Sequence, residues 1–296
     1  MSDGRAGHVA RSTHRPHSET PGRVVPRPPA RTFLRTADGV RIDAVHDPGV
    51  CGLSGVSGVP DADSSAAPAG GLAFVLAHGF TGDVDRPHVR RIAAALARRG
   101  AVVSFSFRGH GASGGRSTVG DREVLDLAAA VGWARALGHA RVATVGFSMG
   151  GSVVLRHAAL YGADDVARPD AVVSVSAPAR WYYRGTAPMR RLHWLVTRPA
   201  GRVVGRYGFR TRIHHREWDP VPLSPVEAVP RIAPTPLLVV HGDSDGYFPV
   251  DHPRMLAEAA GDHGELWLEP GMGHAEHAAG EELLRRIGDW ALARVG

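Results

Sequence analysis

The chain has 296 residues, of which 43% are hydrophobic and 22% are charged. That length allows one large domain or two smaller ones, and that apolar fraction is typical of a packed protein, which excludes wholesale disorder. The apolar runs are too short for a membrane-spanning helix, and the N-terminus lacks the apolar stretch of a secretory signal. The single cysteine, Cys51, excludes an internal disulfide framework and a multi-thiolate metal site. We therefore expect a cytoplasmic globular protein.

The charge is unevenly distributed along the chain. The formal net charge is +6, and all 35 basic residues are arginine. Residues 1–35 carry seven arginines against two acids, and residues 181–216 carry nine arginines and no acid, so the remainder is acidic. Codon bias toward arginine is one explanation for the basic content. We find no recognition helix, zinc finger or aromatic-basic surface, so nucleic acid is not an expected partner.

The sequence pattern predicts little regular secondary structure in the first seventy residues. Residues 1–30 are rich in Pro, Arg, His and Ser, which predicts a disordered basic tail. The stretch 33–45 predicts two short strands around a turn at 37–39. Residues 47–71 are dominated by small and turn-forming residues and predict a flexible loop, which carries Cys51 as a bystander thiol.

From residue 72 onward, strand and helix patterns alternate. Apolar runs predict buried strands at 72–77, 101–105, 141–145, 171–175, 237–240 and 266–268. Helical periodicity predicts helices at 89–99, 121–137, 149–161, 252–260 and 281–293. This alternation predicts an α/β fold with a mostly parallel central sheet and helices on both faces. Residues 180–230 break the pattern and predict an inserted cap or lid, which leaves core segments at 31–179 and 231–296.

A Gly-x-Ser-x-Gly motif is formed by Gly146-Phe147-Ser148-Met149-Gly150, between a predicted strand and a predicted helix. A serine on such a turn is held in strained geometry, the glycines permit close approach of strand and helix, and the helix N-terminus adds positive potential. A helix cap is the alternative interpretation, but a cap does not need glycine on both sides. Ser148 is therefore the candidate nucleophile.

Four further motifs follow predicted strands. They are His78-Gly79-Phe80-Thr81-Gly82, Arg108-Gly109-His110-Gly111, His241-Gly242-Asp243-Ser244-Asp245 with Pro249, and Gly271-Met272-Gly273-His274. With the serine motif, and in this order over about residues 33–295, they resemble the α/β-hydrolase family. Within it, the chain is similar to the lysophospholipase, monoacylglycerol lipase and bacterial esterase branch. Phe107, before Arg108, departs from the polar residue usual in the family.

The resemblance implies an α/β-hydrolase fold with a catalytic triad of Ser148, Asp245 and His274. It also implies an oxyanion hole formed by the backbone N–H groups of Phe80 and Met149. Asp243 is the rival acid, and the rival bases are His252, His263 and His277. His78 is expected to order its loop, and the Arg108–His110 loop to support the site. The resemblance implies no cofactor and no metal.

The inserted cap is the expected substrate selector. Trp181 and Tyr182 are candidate substrate-binding residues, and further aromatic wall is offered by Tyr183, Trp194 and Tyr207. The nine arginines favour an anionic substrate, or peripheral contact with an anionic membrane surface. A solvated basic face produced by codon bias is the alternative.

The predicted function is hydrolysis of a small-molecule carboxylic ester through an acyl-enzyme on Ser148. The same triad would serve a thioesterase or a peptidase, and a cofactor-free perhydrolase is a further alternative. The His-Gly-Phe-Thr-Gly stretch at 78–82 also resembles hydroxycinnamoyl esterases. From a different class, the fold could serve a non-catalytic binding protein, which would have no need of all three triad residues.

Overall fold

The computed structural model describes Met1, residues 28–49 and residues 71–295. In this part of the chain a single eight-stranded sheet has the order β1-β2-β4-β3-β5-β6-β7-β8. The strands β1 and β2 are antiparallel to their neighbours, and β4 to β8 run parallel with β3. The strands are β1 (Ala30–Arg35), β2 (Arg41–Asp47), β3 (Leu72–Ala77), β4 (Ala101–Phe105), β5 (Arg141–Phe147), β6 (Ala171–Val175), β7 (Leu237–Gly242) and β8 (Gly264–Glu269).

Helices of the described part connect these strands and cover both faces of the sheet. They are α1 (Pro87–Leu96), α2 (Glu123–Ala136), α3 (Met149–Tyr161), α4 (Ala187–Thr197), α5 (Pro199–Gly208), α6 (Pro225–Ala228), α7 (Asp251–Ala260), α8 (Ala275–Ala278) and α9 (Glu281–Val295). None of the helices in these described ranges combines the length and apolar character that crossing a bilayer requires. The predicted α/β class, with its mostly parallel sheet and its α/β-hydrolase topology, is confirmed.

Alternate residues of the central strands enter two separate hydrophobic cores. In β3, Ala73 and Val75 pack with α2, α3 and α7 on one face, whereas Phe74 and Leu76 pack with α1 and α9 on the other. Successive side chains of a strand point to opposite faces, so a strand that is covered on both sides must be apolar throughout. All six residues of β3 are buried. Burial on both faces of the sheet therefore explains the continuous apolar run in the sequence.

The carboxyl ends of the parallel strands bring the motif-bearing loops to one edge of the sheet. The turn after β3, the turn into α3 after β5, and the loops after β7 and β8 all begin there. The order of the sheet places β5 between β3 and β6, so the serine motif lies at the centre of this edge. Ligands of open α/β sheets bind in the crevice outside the carboxyl ends of the strands.

The structure departs from the sequence-based expectations mainly in residues 180–230, hereafter called the insertion. The sequence pattern assigns this stretch as a cap or lid without placing elements in it, and α4, α5 and α6 form there. Proline stands in the first turn of all three helices, where its fixed φ and missing N–H are compatible with a helix start. Most of the predicted tail and of the predicted loop, including Cys51, lies outside the described residues.

Candidate active site

Ser148 lies at the sharp turn between β5 and α3, with a backbone φ of 51°. A positive φ is strained for a residue with a side chain, and such turns expose a nucleophile above the sheet. Two glycines make the turn sterically possible. A Cβ on Gly146 would lie 2.2 Å from the Gly150 carbonyl oxygen, and a Cβ on Gly150 would lie 2.2 Å from the Ala77 carbonyl oxygen. Strand, turn and helix therefore approach this closely only with glycine at both positions.

His274 lies on the loop after β8, immediately before α8. Its Nε2 atom is 2.9 Å from Ser148 Oγ, and its Nδ1 atom is 2.8 Å from Asp245 Oδ2. The Tyr247 ring stacks on the imidazole at a centroid distance of 4.1 Å, which restricts the orientation of the imidazole. An ionised carboxylate only accepts hydrogen bonds, so we assign the proton to Nδ1 and leave Nε2 free to accept one from Ser148.

Asp245 follows β7, and its side chain is fully buried. Its Oδ1 atom accepts hydrogen bonds from the N–H groups of Tyr247 and Phe248, at 2.8 and 3.1 Å. Burial alone would raise the pKa of this carboxyl. The hydrogen bond and charge interaction with His274, together with the two backbone N–H groups, outweigh burial and lower the pKa of Asp245 below its usual value. The carboxylate beside the imidazole is therefore ionised at neutral pH.

The rival acid, Asp243, points away from this chain of hydrogen bonds. It is exposed, and its Oδ1 atom accepts the Gly271 N–H at 2.7 Å and the Ser244 hydroxyl at 3.1 Å. It therefore ties two loops together. The structure brings Asp245, and not Asp243, to His274.

The three rival histidines also lie elsewhere. His252 is buried on α7, where its Nδ1 atom accepts the Ala179 N–H at 2.9 Å. His263 belongs to the turn before β8, and the exposed His277 packs its ring against that of His88. His274 is the histidine whose ring nitrogen reaches the Ser148 hydroxyl.

The two predicted oxyanion donors both line the cavity into which Ser148 opens. Met149 is the first residue of α3, and Phe80 belongs to the turn after β3. That turn passes beside the nucleophile, because a Cβ on Gly79 would lie 3.3 Å from the Ser148 Cβ. The Gly79 N–H donates to the buried carboxylate of Glu276, a residue that the sequence analysis missed.

His78 and the Arg108–His110 loop form the support beneath this turn, as the sequence analysis expects. His78 Nε2 accepts the Phe107 N–H at 3.0 Å, and burial lowers the pKa of His78 to about 3, so the ring is neutral. Arg108 is buried and bridges Asp126 and Asp38 at 2.8 Å each. Phe107, the departure from the family pattern, is fully buried next to His78.

The insertion forms much of the wall of a cavity of about 340 Å³ that contains Ser148. Both predicted substrate-binding residues, Trp181 and Tyr182, line it. The Trp181 indole N–H donates to the carbonyl oxygens of Pro222 and Leu223, which holds the ring in place. Trp218 also lines the cavity, with its ring 5.1 Å from Trp181. Trp218 was not among the predicted residues, and its one signal in the sequence is that it is a tryptophan within the insertion.

Two aromatic residues expected in the wall lie outside it. Trp194 is 48% exposed and Tyr207 is 75% exposed, and neither lines the cavity, whereas Tyr183 does. The expectation failed because their helices, α4 and α5, turn these side chains toward solvent, and composition alone does not specify which way a helix faces. In residues 28–49 and 71–295, no group of three or more His, Cys, Asp or Glu side chains is arranged to hold a metal ion.

Most of the chain matches a known protein family. Residues 74–286 match the model described as the alpha/beta hydrolase family. This span includes Ser148, Asp245 and His274, as well as the insertion.

Several solved structures share the fold at low sequence identity. An esterase of Pyrococcus furiosus, Pf2001, is 23% identical with a TM-score of 0.64, and the match covers 91% of this chain and 93% of the esterase. A serine hydrolase of Xanthomonas campestris described as having no lid is 22% identical, with a TM-score of 0.55 and coverage of 92% and 95%. Est1E of Butyrivibrio proteoclasticus, solved with ferulic acid, is 19% identical, with a TM-score of 0.55 and coverage of 89% and 99%. At these identities the likeness establishes the fold.

Proposed function

Because this chain belongs to the alpha/beta hydrolase family, we propose that it is a serine hydrolase that cleaves carboxylic esters through an acyl-enzyme on Ser148. The observation that carries the proposal is the continuous pair of hydrogen bonds from Ser148 Oγ to His274 Nε2 and from His274 Nδ1 to Asp245 Oδ2. A nucleophile, a base and an orienting carboxylate in this geometry are the requirements of two-step acyl transfer.

In the proposed acylation step, Ser148 Oγ attacks the ester carbonyl carbon while its proton passes to His274 Nε2. The imidazole becomes positively charged, and the ionised Asp245 carboxylate at Nδ1 stabilises that charge. His274 then gives the proton to the leaving alcohol as the tetrahedral intermediate collapses. Water repeats the cycle on the acyl-enzyme, with His274 again taking and returning the proton.

The negative charge of each tetrahedral intermediate would be held by the backbone N–H groups of Phe80 and Met149. Both residues line the cavity beside Ser148, and Met149 opens α3, whose N-terminal end carries partial positive charge. Loss of one such donor costs on the order of 10²- to 10³-fold in kcat. We expect Trp181 and Tyr182 to contact the substrate, because they line the same cavity.

Covalent labelling tests the nucleophile directly. A fluorophosphonate should label the wild-type chain, and the label should be lost in Ser148→Ala and retained in Ser244→Ala, an exposed serine on the Asp245 loop. A wild-type chain that stays unlabelled would contradict the proposal and favour a non-catalytic binding protein.

A second measurement tests which class of bond the enzyme cleaves. Matched oxygen esters, thioesters and anilides of the same acyl chain, at several chain lengths, should be compared with the wild-type enzyme and with Ser148→Ala. We expect oxygen esters to have the highest kcat/KM. A preference for thioesters or anilides would replace the ester assignment with thioesterase or peptidase activity by the same residues.

A further inference from the structure

The helix α5 presents an apolar face to solvent. Ala200, Val203, Val204 and Tyr207 are all exposed, and Val203 and Tyr207 have exposed fractions of 57% and 75%. Positions i, i+3, i+4 and i+7 lie on one side of a helix, so these residues form a single surface, here called the α5 outer face. A surface helix normally turns such a face toward the core, so this orientation is the reverse of the usual one.

The other side of α5 explains why the helix is held in this orientation. Gly201 and Gly205 are buried there. A Cβ on Gly201 would lie 2.5 Å from the Trp194 carbonyl oxygen of α4, and a Cβ on Gly205 would lie 3.0 Å from the Ile213 side chain. Only a glycine-lined side can approach α4 this closely, so rotation of the helix would require bulkier side chains to fit there. The exposure of the apolar side chains is thus built into the packing.

Arginines flank the α5 outer face along the chain. Residues 181–216 carry nine arginines and no acid. Arg198 immediately precedes α5, and Arg206 lies in its last turn, with its guanidinium 5.4 Å from the Tyr207 ring centroid. Within the described part of the chain, no carboxylate lies within 4.0 Å of the guanidinium of Arg198 or Arg206.

The segment that carries this face also covers the cavity of Ser148. Leu192 and Val196 of α4 and Arg202 of α5 line the cavity, whereas Val203 and Tyr207 lie on the solvent side of α5. A binding partner in contact with the α5 outer face would therefore lie against the part of the cavity wall that covers the proposed nucleophile.

We propose that the α5 outer face, with Arg198 and Arg206, docks on an anionic lipid surface. Amphipathic helices bind such surfaces by burying apolar side chains at the headgroup boundary while arginines attract the anionic lipids. A second copy of this chain fits less well, because a symmetric contact would bring like-charged arginine clusters together. Docking itself is independent of the proposed function. Its consequence, that the substrates are lipid esters reached from the surface, rests on that function.

Vesicle sedimentation of the full chain carrying Ser148→Ala tests the docking without turnover. The vesicles are phosphatidylcholine with or without phosphatidylserine, at low and at high salt. We expect binding to the anionic vesicles that weakens with salt. Val203→Ser with Tyr207→Ser should weaken it about 10-fold or more. Arg198→Gln with Arg206→Gln should weaken it about 10- to 30-fold.

Matched controls separate this face from other parts of the surface. Leu160→Ser with Val166→Ser changes two exposed apolar residues outside the insertion, and Arg168→Gln with Arg254→Gln changes two exposed arginines outside it. Both controls should bind as the parent does. All variants keep the seven arginines of residues 1–35, so binding through that basic segment would survive every substitution and overturn the proposal.

Three further outcomes would also overturn it. They are equal binding to neutral and anionic vesicles, no binding to either, and a dimer in sedimentation velocity that Val203→Ser with Tyr207→Ser abolishes.

The lipid-ester assignment is tested in the Ser148 enzyme. The Val203 and Tyr207 variant should lose most hydrolysis of an ester embedded in anionic vesicles and keep its rate on a soluble short-chain ester. Loss of neither rate would contradict that assignment, and an inactive parent enzyme would count against the proposed function alone.

Discussion

The buried carboxylate of Glu276 accepts a hydrogen bond from the Gly79 N–H. Glu276 lies two residues after His274, and Gly79 lies one residue before Phe80. The loop that carries the imidazole is thus joined to the turn that carries a proposed oxyanion donor. Arg91 reinforces the joint by donating to the Glu276 carbonyl oxygen at 2.7 Å and to the Ala279 carbonyl oxygen at 2.8 Å. Glu276 therefore positions two parts of the site relative to each other.

Removal of this positioning carboxylate should slow turnover more than it weakens substrate binding. We expect Glu276→Ala to lower kcat by about 10-fold with little change in KM, because the Phe80 N–H acts on charge that develops in the transition state. Glu276→Gln keeps an acceptor oxygen and should retain more activity. Steady-state kinetics on a soluble ester would check this, with the exposed Glu282→Ala as control. An effect confined to KM or to the melting temperature would contradict the positioning role.

The two aspartates after β7 should differ sharply in their effect on catalysis. We expect Asp245→Asn to lower kcat on the order of 10⁴-fold, because the neutral amide neither fixes the imidazole tautomer nor stabilises its charge. Asp243→Asn should keep kcat within about threefold of wild type, because the Asp243 side chain bonds Gly271 and Ser244 and not His274. The measurement is kcat for both variants after folding has been verified by circular dichroism. Similar losses in the two would remove Asp245 from its proposed role.

The turn at Ser148 should not tolerate a methyl group beneath it. In Gly150→Ala the new Cβ would meet the Ala77 carbonyl oxygen at 2.2 Å, so the backbone must move. We expect a loss of about 3 kcal/mol in the free energy of unfolding, together with loss of activity. A Cβ on Gly280 would meet no atom within 4 Å, so Gly280→Ala is the matched control. Urea unfolding gives both values, and equal stability of the two variants would refute the steric argument.

A buried histidine should make the fold sensitive to acid. His157 is fully buried on α3, where neither ring nitrogen has a hydrogen-bonding partner among the described residues, and burial lowers its pKa to about 3. The unfolded chain binds a proton below a pKa of about 6.5, whereas the folded chain does not until about pH 3, so stability falls as the pH drops through this window. The slope is about 1.4 kcal/mol per pH unit.

Substitution of this ring by an apolar one should remove its share of the acid sensitivity. We expect His157→Phe to be at least as stable as wild type at pH 7, because no polar atom is then buried without a partner. At pH 5 the difference in the free energy of unfolding between His157→Phe and wild type should be about 2 kcal/mol larger than at pH 7. Urea unfolding at both pH values measures this, with the exposed His277→Phe as control. An advantage that stays constant between the two pH values would show that His157 does not contribute to the pH dependence.

Much of the fold and of the candidate site was predictable because it depends on local sequence. The apolar runs of β3 to β7 reflect burial on both faces of a sheet, and the glycines at 146 and 150 reflect close contacts that any side chain would prevent. The order of the motifs along the chain was equally readable. Each of these features can be recognised within a short segment of the sequence, whereas the contacts that require them, such as that of Gly150 with the Ala77 carbonyl oxygen, join distant segments.

The motif pattern named Asp245 rather than Asp243, but the physical reason for that choice lies in the tertiary structure. Asp243 and Asp245 are two residues apart, and only the path of the loop turns one toward His274 and the other toward Gly271. The sequence determined by itself that this chain forms a mostly parallel sheet with a serine on a glycine-flanked turn. That Glu276 meets Gly79 across that edge, and that Tyr207 faces solvent, depend on contacts between segments distant along the chain, and residue type and spacing do not encode these contacts locally.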